Sequence, residues 1–153
     1  MSQESILVID DEEVMRDVLG QVLGKAGYDV TFAENGARGL ELARKGSYAA
    51  AIVDVMLPEI GGLQVLEELK RIDPEMVVLM ITAYASMEMA IDAIKKGAFY
   101  FVPKPFDNQQ LLHILANGLT RRRLEDENRE LRTALRDQGR FMELVGKLSL
   151  IHI

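Results

Sequence analysis

Five short apolar runs, each followed by a segment with helical hydrophobic spacing, constrain this chain more than any other feature. They are Ile6 to Ile9, Tyr28 to Ala33, Ala49 to Val53, Val77 to Ile81 and Phe99 to Val102. A strand that is apolar on both of its faces must be covered on both sides, and intervening helices can supply that cover only if the strands run parallel. The intervening patterns fit. Val14, Val18, Leu19 and Val22 recur at helical spacing before Gly24 and Gly27, and Asn35-Gly36 opens a second helix that runs through Arg44. Leu63, Leu66 and Leu69 mark a third that stops near Asp73-Pro74, and a fourth spans Met87 to Lys96. The expected class is α/β: a doubly wound five-stranded parallel sheet in the order 2-1-3-4-5 with right-handed crossovers.

In such a sheet, ligands bind beyond the carboxyl ends of the strands, where the strand order switches. The residues at those ends are polar: Asp10-Asp11 after the first strand, Asp54 after the third, Thr82 after the fourth, and Lys104-Pro105 after the fifth. The second strand ends blandly, as suits an edge. Close carboxylates repel by about 4 kcal/mol per pair at an effective dielectric of 20, so positive charge is required. Lys104 supplies one charge. The chain has no cysteine and only two histidines, His113 and His152, which excludes thiolate zinc sites and leaves little for a histidine metal cluster. Carboxylate oxygens instead suit Mg²⁺, with Mn²⁺ as a substitute. A carboxylate, a metal, a hydroxyl and a lysine make a site for phosphoryl transfer to the carboxylate oxygen.

Asp10-Asp11, Asp54 with Pro58 and Gly62, Thr82-Ala83 and Lys104-Pro105-Phe106 together resemble the receiver domain of bacterial two-component response regulators, over about residues 4–120. The resemblance implies a flavodoxin-like fold and phosphorylation of Asp54 by a sensor histidine kinase. It implies Mg²⁺ held by Asp11, Asp54 and the backbone carbonyl of Met56, with Asp10 acting through water, and phosphoryl oxygens held by Thr82 and Lys104. The Lys104-Pro105 bond is then expected to be cis. The resemblance also implies a switch in which Thr82 moves toward the phosphoryl group and Phe101 fills the space it leaves. Phe101 stands where the family often has tyrosine, so the packing half of that switch is kept and the phenol hydrogen bond is not. Bulky Met56 and Tyr84 predict slow self-dephosphorylation.

The net charge of −6 is unevenly spread. Residues 1–107 hold 18 acidic and 10 basic side chains, whereas residues 108–153 hold 6 and 8. The acidic front repels phosphate backbones, so direct nucleic-acid binding is not expected. The helix that opens near Asp107 continues through Arg121-Arg122-Arg123 and, without proline, to Gly139. Leu124, Asn128, Leu131, Leu135 and Gln138 fall at steps of 4, 3, 4 and 3, a heptad seam whose asparagine favours a parallel two-stranded coil. The expected organisation is a receiver at 1–120, a coiled-coil linker at 121–139, and at 140–153 either the start of an output domain or a cloning remainder.

Lys95-Lys96-Gly97-Ala98, the linker, and Arg140 to Lys147 are similar to the NtrC-like sigma-54 activators. That likeness implies homodimerisation through the fourth helix, fifth strand, fifth helix and linker, with output ATPase and DNA-binding domains in a longer protein. Leu148-Ser149 departs from the serine that family favours just after Gly-Lys.

A regulatory domain, not an enzyme, is therefore the leading expectation, and a stand-alone signalling adaptor of the same fold is one rival. A haloacid-dehalogenase-like Mg²⁺ phosphatase would need an acid two residues after its nucleophile, where Met56 stands. An FMN carrier would need a neutral phosphate loop, where Asp10-Asp11-Glu12-Glu13 stands. No apolar run approaches membrane-spanning length, and Met1 to Ser5 begins unlike a signal peptide, so a cytoplasmic location without membrane contact is expected.

Overall fold

The computed structural model describes the backbone of residues 3–146 and the side chains of residues 3–136. The element order is β1 (Ser5–Ile9), α1 (Glu13–Lys25), β2 (Asp29–Ala33), α2 (Gly36–Lys45), β3 (Ala50–Asp54), α3 (Gly62–Ile72), β4 (Val77–Thr82), α4 (Met87–Lys95), β5 (Tyr100–Pro103) and α5 (Asn108–Gly146). The five strands are parallel in the order β2-β1-β3-β4-β5, as the sequence predicts. Strand boundaries lie within a residue or so of those expected. The chain divides after Leu119 into two compact units.

Alternation along the strands sorts the core into two layers. Leu7, Ile9, Ala51, Val53, Val78 and Met80 pack with Leu40, Val65, Leu66 and Leu69 of α2 and α3. Ile6, Val8, Ala50, Ile52, Leu79 and Ile81 pack with Leu19 and Leu23 of α1 and Leu111, Leu115 and Leu119 of α5. Each of β1, β3 and β4 therefore buries both faces, which is why its sequence shows no polar alternation. β2, at the edge, keeps Asp29 and Phe32 exposed.

Local signals set the helix ends. The Asn35 side chain accepts a hydrogen bond from Arg38 N at the start of α2, and Ser86 accepts one from Met89 N at the start of α4. Gly27, with φ +96°, takes the left-handed turn after α1 that glycine allows without strain.

One expectation is corrected. The last helix does not stop at Gly139 but passes through it to Gly146. A single glycine costs about 1 kcal/mol in a helix interior, and the good helix formers that follow, with no proline or turn cluster, give the chain no reason to leave the helix. Residues 147–153, and with them half of the segment expected to begin an output domain, lie outside the described residues. Among the described residues, no helix is long and apolar enough to cross a membrane.

Candidate functional site

The site forms where β1, β3, β4 and β5 end. Asp10 follows β1 and is fully buried, with its N–H donating to Ala33 O of β2 at 3.1 Å. Asp54 closes β3 and is 4% exposed, and Thr82 closes β4 and is fully buried. Ladder pairing sets Asp54 opposite Ile81, one residue short of Thr82. Lys104 N donates to Thr82 O at 2.7 Å, which ties the lysine's backbone to the end of β4. The Lys104-Pro105 peptide is cis, as expected.

Those backbone anchors bring the ends of β1 and β3 to the ammonium of Lys104, which follows β5. Lys104 Nζ lies 3.0 Å from Asp54 Oδ2, 3.3 Å from Asp10 Oδ2 and 3.4 Å from Glu12 Oε1. The other carboxylate oxygens are held by backbone: Asp54 Oδ1 accepts from Met56 N at 2.9 Å, and Asp10 Oδ1 from Glu12 N at 2.9 Å. Arg16 donates through a guanidinium nitrogen to Asp10 O at 2.7 Å. Thr82 Oγ1 accepts from Tyr84 N at 3.2 Å. Among the described residues, every buried side-chain nitrogen and oxygen has a hydrogen-bond partner.

Glycine makes the approach of α3 to β3 feasible. A Cβ at Gly62 would lie 2.1 Å from Asp54 O and 2.6 Å from Val55 Cα, both backbone atoms that cannot step aside. The loop that joins them passes through Glu59 at φ +65°, a left-handed conformation on a residue with a Cβ.

The electrostatics follow from this crowding. Burial pushes the Asp10 carboxyl above the ordinary carboxylate value and Asp54 pushes it further, while the bond from Glu12 N and the charge of Lys104 only partly oppose them. Burial would lower the Lys104 ammonium, but the hydrogen bond to Asp54 and the charges of Asp10 and Asp54 outweigh it and hold the pKa above the ordinary lysine value. Carboxylate oxygens of Asp10, Glu12 and Asp54 lie within 4.8 Å of one another. Three carboxylates share the Lys104 ammonium, and the two buried ones, Asp10 and Asp54, offer hard oxygens with no histidine or cysteine beside them, a donor chemistry that fits Mg²⁺ or Mn²⁺.

Of the residues singled out from sequence, Asp10, Asp54 and Lys104 meet directly, and Thr82 is buried at the adjoining strand end. Met56 is exposed beside Asp54. Asp11 is exposed and lies outside the acidic group, while Glu12, which the sequence reading gave no role, lies inside it. The run Asp10-Asp11-Glu12-Glu13 showed that acids were concentrated here, but which of them reaches the lysine depends on the turn into α1. Phe101, beside Met80 on β5, is half-buried against the layer formed by α2, α3 and α4. In α5, Leu124, Leu131 and Leu135 are 59%, 60% and 39% exposed, and Asn128 is exposed as well.

Residues 6–116 match the response regulator receiver domain model. A putative NtrX-like response regulator of Rickettsia conorii is 34% identical over 152 residues, which cover 98% of this chain and 31% of that protein. The DNA-binding transcriptional regulator NtrC of Rhizobium meliloti is 35% identical over 135 residues, 85% of this chain and 28% of that protein. The chain thus spans under a third of the length of these relatives. Among solved structures, NtrX from Brucella abortus in complex with ADP matches with a TM-score of 0.80 at 30% identity, over 85% of this chain and 30% of its own. A receiver domain protein from Methanospirillum hungatei matches with a TM-score of 0.79 at 30% identity, over 81% and 99%.

Proposed function

The chain belongs to the response regulator receiver domain family, of the kind found in NtrC-like and NtrX-like regulators, and on that premise we propose that Asp54 is its phosphoacceptor and a sensor histidine kinase its donor. The observation that carries the reading is the convergence on Lys104. A buried carboxylate at the end of β3 has one oxygen fixed by the backbone and the other held by an ammonium, which fixes its orientation in the crevice. An Asp54 oxygen forms the new bond to phosphorus, the bond from phosphorus to the donor imidazole nitrogen breaks, and its electron pair leaves with the imidazole. Lys104 and the Thr82 hydroxyl then hold phosphoryl oxygens.

Asp54 and Asp10, with Asp11 from the same turn and the Met56 carbonyl, are the groups that would hold Mg²⁺. When bound, the ion offsets the negative charge of the phosphoryl oxygens and of the acids around them. Phosphorylation adds about −1.5 to −2 charges here, and Thr82 with Phe101 transmits the change toward α4 and β5.

The output proposed is a change in a homodimer built on α4, β5 and α5 and extended by a linker at 121–139 into an ATPase and DNA-binding output of a longer regulator. Exposed Met87, Ile91, Ile94 and Tyr100 on α4 and β5, and the exposed leucines of α5, support that arrangement. The domain is placed in the cytoplasm, where a kinase and a transcriptional output meet.

The test is addition of a small phosphodonor, or of BeF₃⁻, with Mg²⁺, following mass and sedimentation. Wild type is expected to gain a phosphoryl group, Asp54→Ala to gain none, and a chain ending at Thr120 to dimerise less than the full chain. A wild type that fails to respond, or an Asp54→Ala variant that responds equally, would sink the assignment.

A further inference from the structure

Glu12 is the N-cap residue of α1, with extended backbone at φ −89° and ψ 119°, yet its side chain makes no cap hydrogen bond. The short side chains of Ser, Thr, Asp or Asn in this position turn back onto the first turn of their own helix, and the longer glutamate is left without that bond. Glu12 instead reaches across the site to Lys104, from a side chain that is 64% exposed. A lysine ammonium has three donors and accepts nothing. Here those donors face three carboxylates, Asp54, Asp10 and Glu12, at 3.0, 3.3 and 3.4 Å. A phosphoryl oxygen that needs Lys104 therefore finds it fully engaged.

We propose that Glu12 is a displaceable internal anion: it holds the Lys104 donor that a phosphoryl group on Asp54 requires, and must swing into solvent before the lysine can take that group. The inference rests on the reading of Asp54 as the phosphoacceptor. Among the three partners, only Glu12 can leave at small cost. Asp10 is fully buried, and its release would strand a carboxylate away from water. Asp54 carries the incoming group. Glu12 sits at the rim, where an ion pair is weak and its oxygens rehydrate on leaving. Glu12 is thus a positioning residue that acts through Lys104 and raises the threshold for phosphorylation without abolishing it.

Removing its charge frees one lysine donor and takes one like charge from beside the incoming anion. A unit charge about 6 Å away in a water-like dielectric alters binding roughly threefold. The experiment titrates BeF₃⁻ into the full chain at saturating Mg²⁺ and reads bound fluoride by ¹⁹F NMR, for wild type, Glu12→Gln and Glu13→Gln. Mg²⁺ affinity without fluoride is measured in parallel by calorimetry. Glu13 is the adjoining exposed acid, so its substitution removes the same net charge without touching Lys104. Half-saturation is expected to fall about threefold in Glu12→Gln and to stay unchanged in Glu13→Gln, with Mg²⁺ affinity preserved in both. An unshifted Glu12→Gln, or an equal shift in Glu13→Gln, overturns the proposal. A tenfold loss of Mg²⁺ affinity in Glu12→Gln also overturns it, because Glu12 would then be a metal ligand. A wild type that binds no BeF₃⁻ removes the Asp54 assignment itself, and this inference with it.

Discussion

Lys104 Nζ and Asp54 Oδ2 lie 3.0 Å apart although fifty residues separate them in the chain. The contact is made because β4 pairs on one side with β3, which ends in Asp54, and on the other with β5, which leads into Lys104. Breaking a largely buried pair by removing one partner typically costs about 3–5 kcal/mol, since the other charge is left uncompensated. Lys104→Met is therefore expected to lower the urea unfolding free energy at pH 7 by about 3 kcal/mol, with much of the loss restored by excess Mg²⁺. Unchanged stability without metal would mean that the carboxylates are neutralised in some other way.

Asp10, although paired with Lys104, gives a pH signature of opposite sign to that usual for a salt-bridged acid. Its folded pKa is raised above the ordinary 3.8, chiefly by burial, so the folded state binds its proton more tightly than the unfolded state does. Its contribution to stability is most favourable below about pH 4 and declines as pH rises through the elevated folded value. Asp10→Asn removes the ionisation, so the metal-free variant should unfold at a higher temperature than wild type at pH 7 and lose this segment of the pH profile. Thermal melts from pH 3 to pH 7 in EDTA measure both effects, and parallel profiles for the two proteins would contradict the assignment.

At Gly62 the nearest obstacles are backbone, 2.1 Å and 2.6 Å from where a Cβ would stand. Overpacking of this kind costs about 1–3 kcal/mol or more, and here the strain falls on the segment that carries Asp54. Gly62→Ala should lose at least about 2 kcal/mol in denaturant unfolding and accept BeF₃⁻ more weakly. A fully stable variant with unchanged BeF₃⁻ binding would show that the β3–α3 loop has slack.

Glu59 offers the converse test. Its left-handed backbone costs a residue with a Cβ roughly 1–2 kcal/mol, and glycine removes that cost while giving back part of it as unfolded-chain entropy. Glu59→Gly is expected to stabilise by about 0.5–1 kcal/mol in urea unfolding. A loss of stability would indicate that the glutamate side chain makes up for its backbone.

The sequence by itself determined the sheet, its strand order and the ring of polar residues at the strand ends. Strands buried on both faces have to be apolar throughout, and helices between them have to show helical spacing, so the pattern of Ile6 to Ile9 or Val77 to Ile81 admits few alternatives. Asp54, Thr82 and Lys104 were legible because polar residues that close such strands face one crevice. Tertiary structure alone decided which acids meet there. Asp10, Asp11 and Glu12 are consecutive, and the turn into α1 sends Glu12 to Lys104 and leaves Asp11 exposed. That choice depends on side-chain directions within one turn, which residue type does not encode. The continuation of α5 through Gly139 was equally hidden, because one glycine weakens a helix without ending it. The close approach at Gly62 depends on how α3 is seated against β3, a packing distance that no local pattern records.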